Sequence, residues 1–496
     1  MRKAASTRTR RARWAAAVAL AAGLSAPESA RADAPAIDKN DYAVEFYQGP
    51  LIAPVRVTGL AGAYTAYAEG VEGTPSNAAA PAVREPFSHN WFDYDLAASF
   101  QFPGSFARTD FDNRGSAAPT STTGGATRFG EFLYLNLGAQ VQLGYFGASV
   151  TTDLQQFNLS PATAATPGLD LQISRWHALA AYGLYGGQLV IGAGARAVLL
   201  QISQAGGGFV SGTLLTMAGA APEVGALVKP DGAQWRLGVT ARAPVLAKTL
   251  GASQTSTDAE GVERAGNFIL PQKVVLPWEL EAGVALQAGP RPLNPEWINP
   301  HLQEGPVRQA IADAREERAR EHDARIARTP PAEVDAVWAA IEREEVAVRA
   351  IEDQRLEAES TRLLALRRAR YANWPREKIL LVASALITGP SSDAIAVESF
   401  LDQRREPFGT RVTVTPRLGL EAEPILNWVR LRTGSYVEPS RFSTGNAREH
   451  FTGGGDVKIA YFDAWGLFAP TIWRLSFAID LAPRYGNWGV AIGAWH

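Results

Sequence analysis

The histidines and glycine-rich segments of this 496-residue sequence are the first places where chemistry could be expected. The segment Gly192 to Ala197 matches the G-x-G-x-x-A pattern of dinucleotide-binding loops, but the residues after it continue as a strand and offer no helix to receive a pyrophosphate. Neither G-x-S-x-G nor G-K-[ST] occurs. The histidines lack metal-ligand spacing: His89, His177, His301, His322, His450 and His496. We therefore expect that the protein is not an enzyme and binds no cofactor or metal. The alternative is a lipid-acting barrel enzyme, which would need a Ser or His pair that comes together only in the folded protein.

Charged side chains at every second position of apolar segments are the other candidates for chemistry. From Trp235 to Arg242 one parity is Trp, Leu, Val, Ala and the other is Arg, Gly, Thr, Arg, so a strand would send one set to lipid and the other to a wet interior. The candidate lumen charges are Arg236, Arg242, Arg411, Arg417, Glu279 and Glu281. One arginine could hold a carboxylate head group by a two-pronged hydrogen bond. The alternative is that these rows are cross-strand ion pairs that make a polar interior tolerable.

Segments with this alternation recur through 91–288 and 377–496 and set the fold class. We predict fourteen strands, at 91–102, 129–137, 139–152, 169–185, 188–203, 212–228, 234–248, 271–288, 377–388, 409–424, 427–438, 455–463, 472–482 and 486–496. Tight connections, such as those near Gly138 and at Gly186-Gly187, alternate with long ones, and in bacterial barrels the short turns face the periplasm. The expected fold is an all-β transmembrane protein, an antiparallel outer-membrane β-barrel of about 14 strands.

The N-terminus indicates export. Within residues 1–32, six basic residues precede an apolar run from Trp14 to Leu24, and the cleavage pattern Ala30-Arg31-Ala32 follows, which predicts a signal peptide and a mature chain from Asp33. Later in the sequence no run of 18 apolar residues occurs, but a tilted barrel strand needs only about 9 to 11 residues. With 13 Trp, 13 Tyr and 20 Phe the chain can supply interfacial aromatic girdles. We expect it in the bacterial outer membrane, in contact with lipid. The net charge of −2 argues against a nucleic-acid partner.

Residues 289–376 interrupt the strand pattern between the eighth and ninth strands. Charged residues crowd the part from Pro300 to Trp374, and Thr329-Pro330-Pro331 divides it into two helical stretches. Apolar residues at helical spacing in the second stretch predict an amphipathic helix of some 40 residues: Val334, Val337, Ile341, Val348, Leu356, Leu363 and Leu366. The expectation is a coiled-coil-like hairpin on the periplasmic side. It either docks a periplasmic protein or packs only on itself.

Residues 33–90 carry a family resemblance. The stretch Thr58 to Gly70, followed by Pro75 to Ala80, resembles the N-terminal segment of the FadL/TodX (OMPP1) outer-membrane transporters, which have a Gly/Ala-rich stretch and then an Asn-Pro-Ala element. Here Ala78 stands in place of that proline. The resemblance implies a fourteen-stranded barrel whose N-terminal segment plugs the lumen, with plug or hatch residues Gly59, Gly62, Tyr64, Asn77, Ala78 and Ala79.

The same resemblance implies a function. It implies passive uptake of long-chain fatty acids or other hydrophobic small molecules through the plugged, porin-like barrel, with a sideways exit through its wall. The alternative for the segment from Gly59 to Ala80 is a static plug. The alternative for the whole protein is a docking platform for protein secretion or envelope assembly that uses the helical hairpin.

Overall fold

The computed structural model describes residues 34–47, 49–103, 110–115, 133–159, 169–204, 213–252, 256–265, 268–401, 403–443, 445–462 and 471–495. The predicted signal peptide lies outside these residues. One compact unit extends from Ala36 to His496. No helix within the described ranges is long and apolar enough to cross a membrane.

The described strands follow the chain from a short N-terminal strand to the C-terminus. They are β1 (Ala43–Glu45), β2 (Phe92–Gln101), β3 (Leu133–Leu143), β4 (Phe146–Leu159), β5 (Leu169–Leu184), β6 (Leu189–Gln204), β7 (Thr213–Val228), β8 (Trp235–Arg242), β9 (Val245–Ala252), β10 (Ser256–Thr257), β11 (Glu263–Ala265), β12 (Phe268–Ile269), β13 (Lys273–Leu276), β14 (Glu279–Ala288), β15 (Ile379–Thr388), β16 (Ala394–Ile395), β17 (Thr413–Ile425), β18 (Val429–Glu438), β19 (Arg448–Phe462), β20 (Thr471–Ala482) and β21 (Tyr485–Ala494). The helices are α1 (Val55–Gly59), α2 (Pro300–Gln303), α3 (Gly305–Ala327), α4 (Val334–Ala372) and α5 (Val397–Leu401).

Antiparallel pairing between consecutive strands builds a closed wall. The segments β8 and β9 both pair with β7, on either side of Ala243-Pro244, and so form one interrupted strand. Likewise β14 pairs with β8 and β13 with β9, on either side of Pro277-Trp278. The ring closes where β2 pairs with β21, at Ser99 opposite Ala491. Counted in this way, the described residues form a 14-strand barrel, which confirms the predicted fold class.

Two predicted turns fall in different places. The turn between the second and third wall strands lies at Gly144-Tyr145, and Gly138 is inside β3, paired with Thr151. The glycine at 138 is needed for close packing, since an added Cβ would lie 2.6 Å from the Val71 side chain. The twelfth wall strand begins at Arg448 instead of residue 455, so three glycines that suggested a loop, Gly453 to Gly455, lie within it.

The two ends of the barrel differ in their connections. One end has short turns at 144–145, 185–188, 229–234 and 426–428, together with the helical segment 289–378 between β14 and β15. The other end has long connections, including 253–272 and 389–412. Short turns mark the periplasmic end of bacterial barrels. The helices α2, α3 and α4 therefore belong to the periplasmic end, as the sequence predicted.

The wall alternates as the parity of the sequence predicted. Trp235, Leu237 and Val239 are 39%, 48% and 42% exposed, whereas Arg236 and Thr240 are 1% exposed. The same holds for β17, where Val414 and Leu418 are exposed and Thr415 is buried. An outer surface of this kind is stable only against lipid, because there apolar side chains are not in contact with water.

Candidate functional site: the plugged lumen

The N-terminal segment fills the lumen and lies directly against wall glycines. A Cβ added to Gly192 would clash with the carbonyl oxygen of Ala78, and one added to Gly238 with that of Thr65. The same relation joins other wall glycines to the plug backbone: Gly147 to Pro81, Gly225 to Ala78 and Gly419 to Leu60. Wall positions without a side chain thus let the plug backbone reach the strands, which explains part of the glycine content.

Asn77 holds the turn of the plug against the wall. Its side chain is fully buried, its amide donates to the carbonyls of Thr65 (2.8 Å) and Ala226 (3.2 Å), and its Oδ1 accepts from the Ala79 amide (2.9 Å). Ala78 and Ala79 are buried beside it. The side chain of Asn77 therefore fixes the turn that contains Ala78.

The other predicted plug residues lie deeper along the same segment. Tyr64 is fully buried, and its hydroxyl donates to the carbonyl of Glu69 (3.2 Å). Gly62 has φ +73° and offers its carbonyl to Arg417 (3.3 Å). Gly59 ends α1, and its carbonyl accepts from the Thr452 hydroxyl (3.3 Å). Burial raises the pKa of Tyr64, so its hydroxyl stays a hydrogen-bond donor at neutral pH.

Arg236 joins the plug to the periplasmic segment before the hairpin. Its guanidinium is 1% exposed and donates to Glu69 (2.8 Å) and the Tyr67 carbonyl (2.9 Å) in the plug. It also donates to Asn294 Oδ1 (2.7 Å) and the Leu293 carbonyl (2.8 Å). Although burial opposes it, the charges of Arg236 and Arg56 hold the pKa of Glu69 below its ordinary value.

The segment Gly289–Asn299, which we call the periplasmic cap, closes the lower mouth of the lumen. Leu293 is 3% exposed and belongs to one apolar cluster with Leu60, Tyr64 and Tyr67 of the plug. Asn294 is fully buried and donates to the Trp235 carbonyl (2.9 Å). The cap and the plug therefore close the lumen together at its periplasmic end.

The base of the helical hairpin packs on the residues through which the plug leaves the lumen. The rings of Trp91 and His301 stack with centroids 4.8 Å apart, and His89 contacts Tyr371 edge to face at 5.5 Å. Arg367 donates to the His89 carbonyl (3.0 Å). Burial, together with the nearby arginines Arg368 and Arg367, lowers the pKa of His89 to about 4, so this ring is neutral at physiological pH. Further out, Arg318 of α3 pairs with Glu345 and Glu352 of α4.

The other lumen charges are paired within the wall or bonded to the plug. Arg242 donates to the carbonyls of Pro75 (2.7 Å) and Ser76 (3.1 Å), and it lies 3.4 Å from Glu279. Arg417 bonds Glu281 at 3.1 Å. These contacts account for Arg242, Arg417, Glu279 and Glu281 as ion pairs of the interior.

Arg411 was predicted to face the lumen, and this is wrong. It precedes β17, is exposed, and donates to the carbonyl of Phe442 (3.2 Å). The alternation holds only from Thr413 onward, because Gly409 with φ +73° turns the chain before the strand begins. Conversely, sequence reasoning did not single out Asp456, which is fully buried and binds Arg432 at 2.8 Å. In the predicted strand 455–463 it alternates with Val457 and Ile459, so its inward parity could have been read from the sequence.

One side of the outer lumen is apolar, whereas the other side holds buried ion pairs such as Arg441–Glu45 and Arg448–Glu438. Inward residues of β5, β6, β7, β9 and β13 form one buried cluster with the N-terminal residues Ile37, Tyr42, Val44 and Phe46. The wall members include Leu171, Ile173, Val198, Leu200, Ile202, Leu215, Met217, Val245, Ala247 and Val274. A lumen that conducts water and ions is lined by polar groups. The apolar side of this lumen has instead a lining that favours apolar molecules.

The apolar cluster ends at the level of the two strand interruptions, where the charged residues Arg196, Glu223 and Glu279 begin. Arg196 donates to the carbonyl of Ala243 (2.8 Å) and to that of Pro277 (2.5 Å), which are the backbone groups freed by the breaks. It also bonds Glu279 at 2.9 Å. Between Ala218 and Glu223, the residues of β7 have no ladder partner among the described residues of β8 and β9. At this level the Ala243 amide donates to the Pro222 carbonyl (3.0 Å), and the wall has few other backbone hydrogen bonds between β7 and its neighbour among the described residues.

Comparisons with known proteins find similarity among solved structures but not among family models or curated proteins. No family model matches the sequence, and no curated protein matches it. Among solved structures the chain is similar to a Pseudomonas aeruginosa FadL homologue, at 10% identity over 92% of this chain and 100% of that chain, with a TM-score of 0.44. It is also similar to the Pseudomonas putida toluene transporter TodX, at 10% identity over 92% and 98%, with a TM-score of 0.43. The CymD monoaromatic hydrocarbon channel is similar at 10% identity over 89% of this chain and 95% of that chain, with a TM-score of 0.42.

At these values the likeness concerns the kind of barrel and says nothing about cargo. The strand pairing and the buried N-terminal segment of this chain establish its architecture independently. It is a fourteen-stranded bacterial outer-membrane barrel with an N-terminal plug, similar in fold to the FadL/TodX-like transporters that its N-terminal segment resembles in sequence.

Proposed function

We propose that the protein carries hydrophobic compounds, with long-chain fatty acids among the candidates, across the outer membrane, and that it is a transporter and not an enzyme. The observation that supports this proposal is the apolar cluster on one side of the outer lumen, formed by β5, β6, β7, β9 and β13. Each Å² of apolar ligand surface removed from water there contributes about 25 cal/mol, so a molecule with a few hundred Å² of such surface would be held by several kcal/mol. An ion or a sugar gains nothing from this lining.

The test replaces part of that lining. Leu200 is 1% exposed in the apolar cluster, and Leu200→Asn adds an amide that an apolar ligand cannot satisfy. We expect uptake of radiolabelled toluene and hexadecanoate to fall about tenfold at equal membrane level, as a loss of about 1 to 3 kcal/mol for an unpaired polar group implies. Leu250→Asn is the control, since Leu250 is 71% exposed on the outside. Equal uptake by both variants would refute an apolar route through the outer lumen.

For the exit, we infer a sideways path at the strand interruptions. Two features support it: the periplasmic cap packs on the plug at the lower mouth, and between Ala218 and Glu223 β7 has no ladder partner on its β8 and β9 side in the described residues. The sequence contains no cysteine, so a disulfide can be engineered without side reactions. Ala218 and Lys248 are cross-strand partners at the edge of the interruption and suit such a bond.

In the double variant Ala218→Cys/Lys248→Cys we expect uptake to drop under oxidising conditions and to recover after reduction, because the bond fixes β7 to β9. Undiminished uptake in the oxidised form would exclude an exit at this place. A matched pair away from the interruption, Leu154→Cys/Ser174→Cys between β4 and β5, should have no effect.

The docking platform remains a second proposal, supported by the hairpin. On α4, Trp338, Val346 and Ile351 are 52%, 66% and 65% exposed, which is an unusual amount of apolar surface for a helix in water. A periplasmic protein that covers part of this exposed apolar surface would explain it.

A further inference from the structure

A cavity at the periplasmic mouth contains an arginine whose charge has no counterion. Arg291 of the periplasmic cap is only 8% exposed, and its guanidinium lies 5.7 Å from the ring centroid of Tyr371. No carboxylate within the described ranges forms an ion pair with it. A buried charge without a partner is costly, so an arginine in this position indicates that an anion completes the site.

The surroundings of Arg291 add positive charge. Arg376 approaches the same Tyr371 ring at 5.9 Å, and its buried Nη1 atom has no hydrogen-bond partner among the described residues. The cavity is lined by Arg291, Tyr371, Lys378 and Arg474, with Lys378 bonded to Glu421 (2.7 Å) and Arg474 to Asp456 (3.2 Å). Two further lining arginines have acidic neighbours, since Arg56 lies 3.6 Å from Glu421 and Arg430 lies 3.6 Å from Glu423. Among the described lining residues this leaves the charge of Arg291 without an ion pair, with Arg376 next to the cavity.

The acidic residues that face the cavity do not supply the missing charge. Glu69 is bonded to Arg236 at 2.8 Å and is thereby occupied. Glu85 also lines the cavity, but burial and the neighbouring carboxylates Asp95 and Glu69 raise its pKa to about 8, so at neutral pH it is mostly uncharged.

The remaining lining is apolar. Pro86 and Phe87 of the plug exit and Pro292 and Leu293 of the cap line the same cavity. A planar guanidinium matches the geometry of a carboxylate or phosphate and binds it through two parallel hydrogen bonds. A cavity lined by both charged and apolar groups fits a molecule that has an anionic head group and an apolar tail.

We propose that the cavity at the periplasmic mouth binds the oxyanion head group of a single-chain or phospholipid amphiphile, with Arg291 as the residue that contacts the anion. This inference goes beyond the proposed function, because the site lies on the cap side of the plug and does not depend on the apolar outer lumen. The carboxylate of a fatty acid and the phosphate of a membrane lipid share the required chemistry.

The test uses the purified full chain in a non-ionic detergent after removal of lipid. Three ligands with the same tail are compared: hexadecanoate, hexadecyl phosphate and hexadecan-1-ol. We expect at least one anion to bind the wild type about tenfold more tightly than the alcohol, and Arg291→Gln to abolish that preference. Arg368→Gln is the matched control. Arg368 is exposed near the C-terminal end of α4, which also carries Tyr371, but it does not line the cavity. Arg376→Gln serves as a second variant if the first fails to assemble.

Melting temperature separates ligand binding from a structural role. Without ligand, Arg291→Gln should melt no lower than the wild type, because it removes an unbalanced buried charge. With the anion, only the wild type and Arg368→Gln should gain stability. Preference for hexadecyl phosphate points to membrane lipid and preference for hexadecanoate to cargo.

The proposal is overturned if the wild type binds alcohol and anions alike, or if Arg291→Gln retains the preference. The two proposals are tested by different measurements. Leu200→Asn changes uptake through the outer lumen and should leave the anion preference intact, so failure of one proposal can be told apart from failure of the other.

Discussion

Asn77 is the residue on which the closed state of the plug depends most directly. Its three hydrogen bonds join the plug turn to Thr65, to the wall strand β7 at Ala226 and to Ala79. A leucine of similar size fills the same space but leaves these buried backbone groups unpaired.

We predict that Asn77→Leu destabilises the closed plug by about 1 to 3 kcal/mol, which corresponds to a roughly five-fold to hundred-fold rise in the open population. Small-ion conductance in planar bilayers should increase accordingly at unchanged protein level. Asn90→Leu, at an exposed position of the same segment, should conduct like the wild type. Wild-type conductance of Asn77→Leu would mean that other contacts keep the plug closed.

At the residue scale, the sequence predicted which side chains face inward but not what they bind. Arg236 is identified as inward by parity alone. Its partners Glu69 and Asn294 lie 167 and 58 residues away along the chain, and no local pattern connects them. Asn77 was identified only because the resemblance marks that turn.

Removing the helical hairpin tests whether this element is needed for folding of the barrel or only for binding a partner. The strands on either side of it, β14 and β15, pair along their full length, from Glu279 opposite Thr388 to Ala288 opposite Ile379. That ladder needs only a short connection, because antiparallel neighbours can be joined by a tight turn.

We therefore predict that a variant with residues 301–374 replaced by a short Gly-Ser turn still assembles. It should show a heat-dependent shift on gels, as closed barrels resist unfolding without heat. A milder variant that removes only the distal residues 320–343 keeps the contacts of Tyr371 and Arg367 and serves as control. If neither variant shifts on heating, the hairpin is needed for folding. If the larger deletion alone loses a co-purifying periplasmic protein, the docking role lies at the base.

At the element scale, strand number and the helical insertion were predictable because both depend on periodicity, which is local. The turn at Gly144-Tyr145 was misplaced since Gly138 carries the stronger local turn signal. The reason for that glycine, close contact with Val71, exists only in the assembled barrel. The periplasmic cap was not predicted, because its proline-rich sequence looks like an ordinary linker.

The orientation of the whole barrel follows from parity. The hairpin joins the eighth wall strand to the ninth and shares its end of the barrel with the short turns. An epitope tag inserted after Arg328 should be labelled only after the outer membrane is permeabilised. A tag after Glu260, at the opposite end, should be labelled on intact cells. The reverse pattern would invert the assignment of the two ends.

For the molecule as a whole, the alternation along the strands led to the correct compartment and fold, whereas the apolar cluster on one side of the outer lumen did not emerge from the sequence. That cluster is formed by cross-strand neighbours such as Ile173, Leu200 and Met217. Height within a tilted barrel depends on the register of every strand, which a single sequence does not reveal.

The short N-terminal strand β1 has a consequence for the order of assembly. It pairs in parallel with β13 and with β16, and nearby Asn40 donates to the Leu270 carbonyl across 230 residues of chain. Closing loops of that length is entropically unfavourable until the intervening chain is ordered, so the first strand of the chain must be among the last to dock. The barrel would pass through a late intermediate with a complete wall and an open top, and the rate of the final sealing step would be set by how quickly the N-terminus finds its slot.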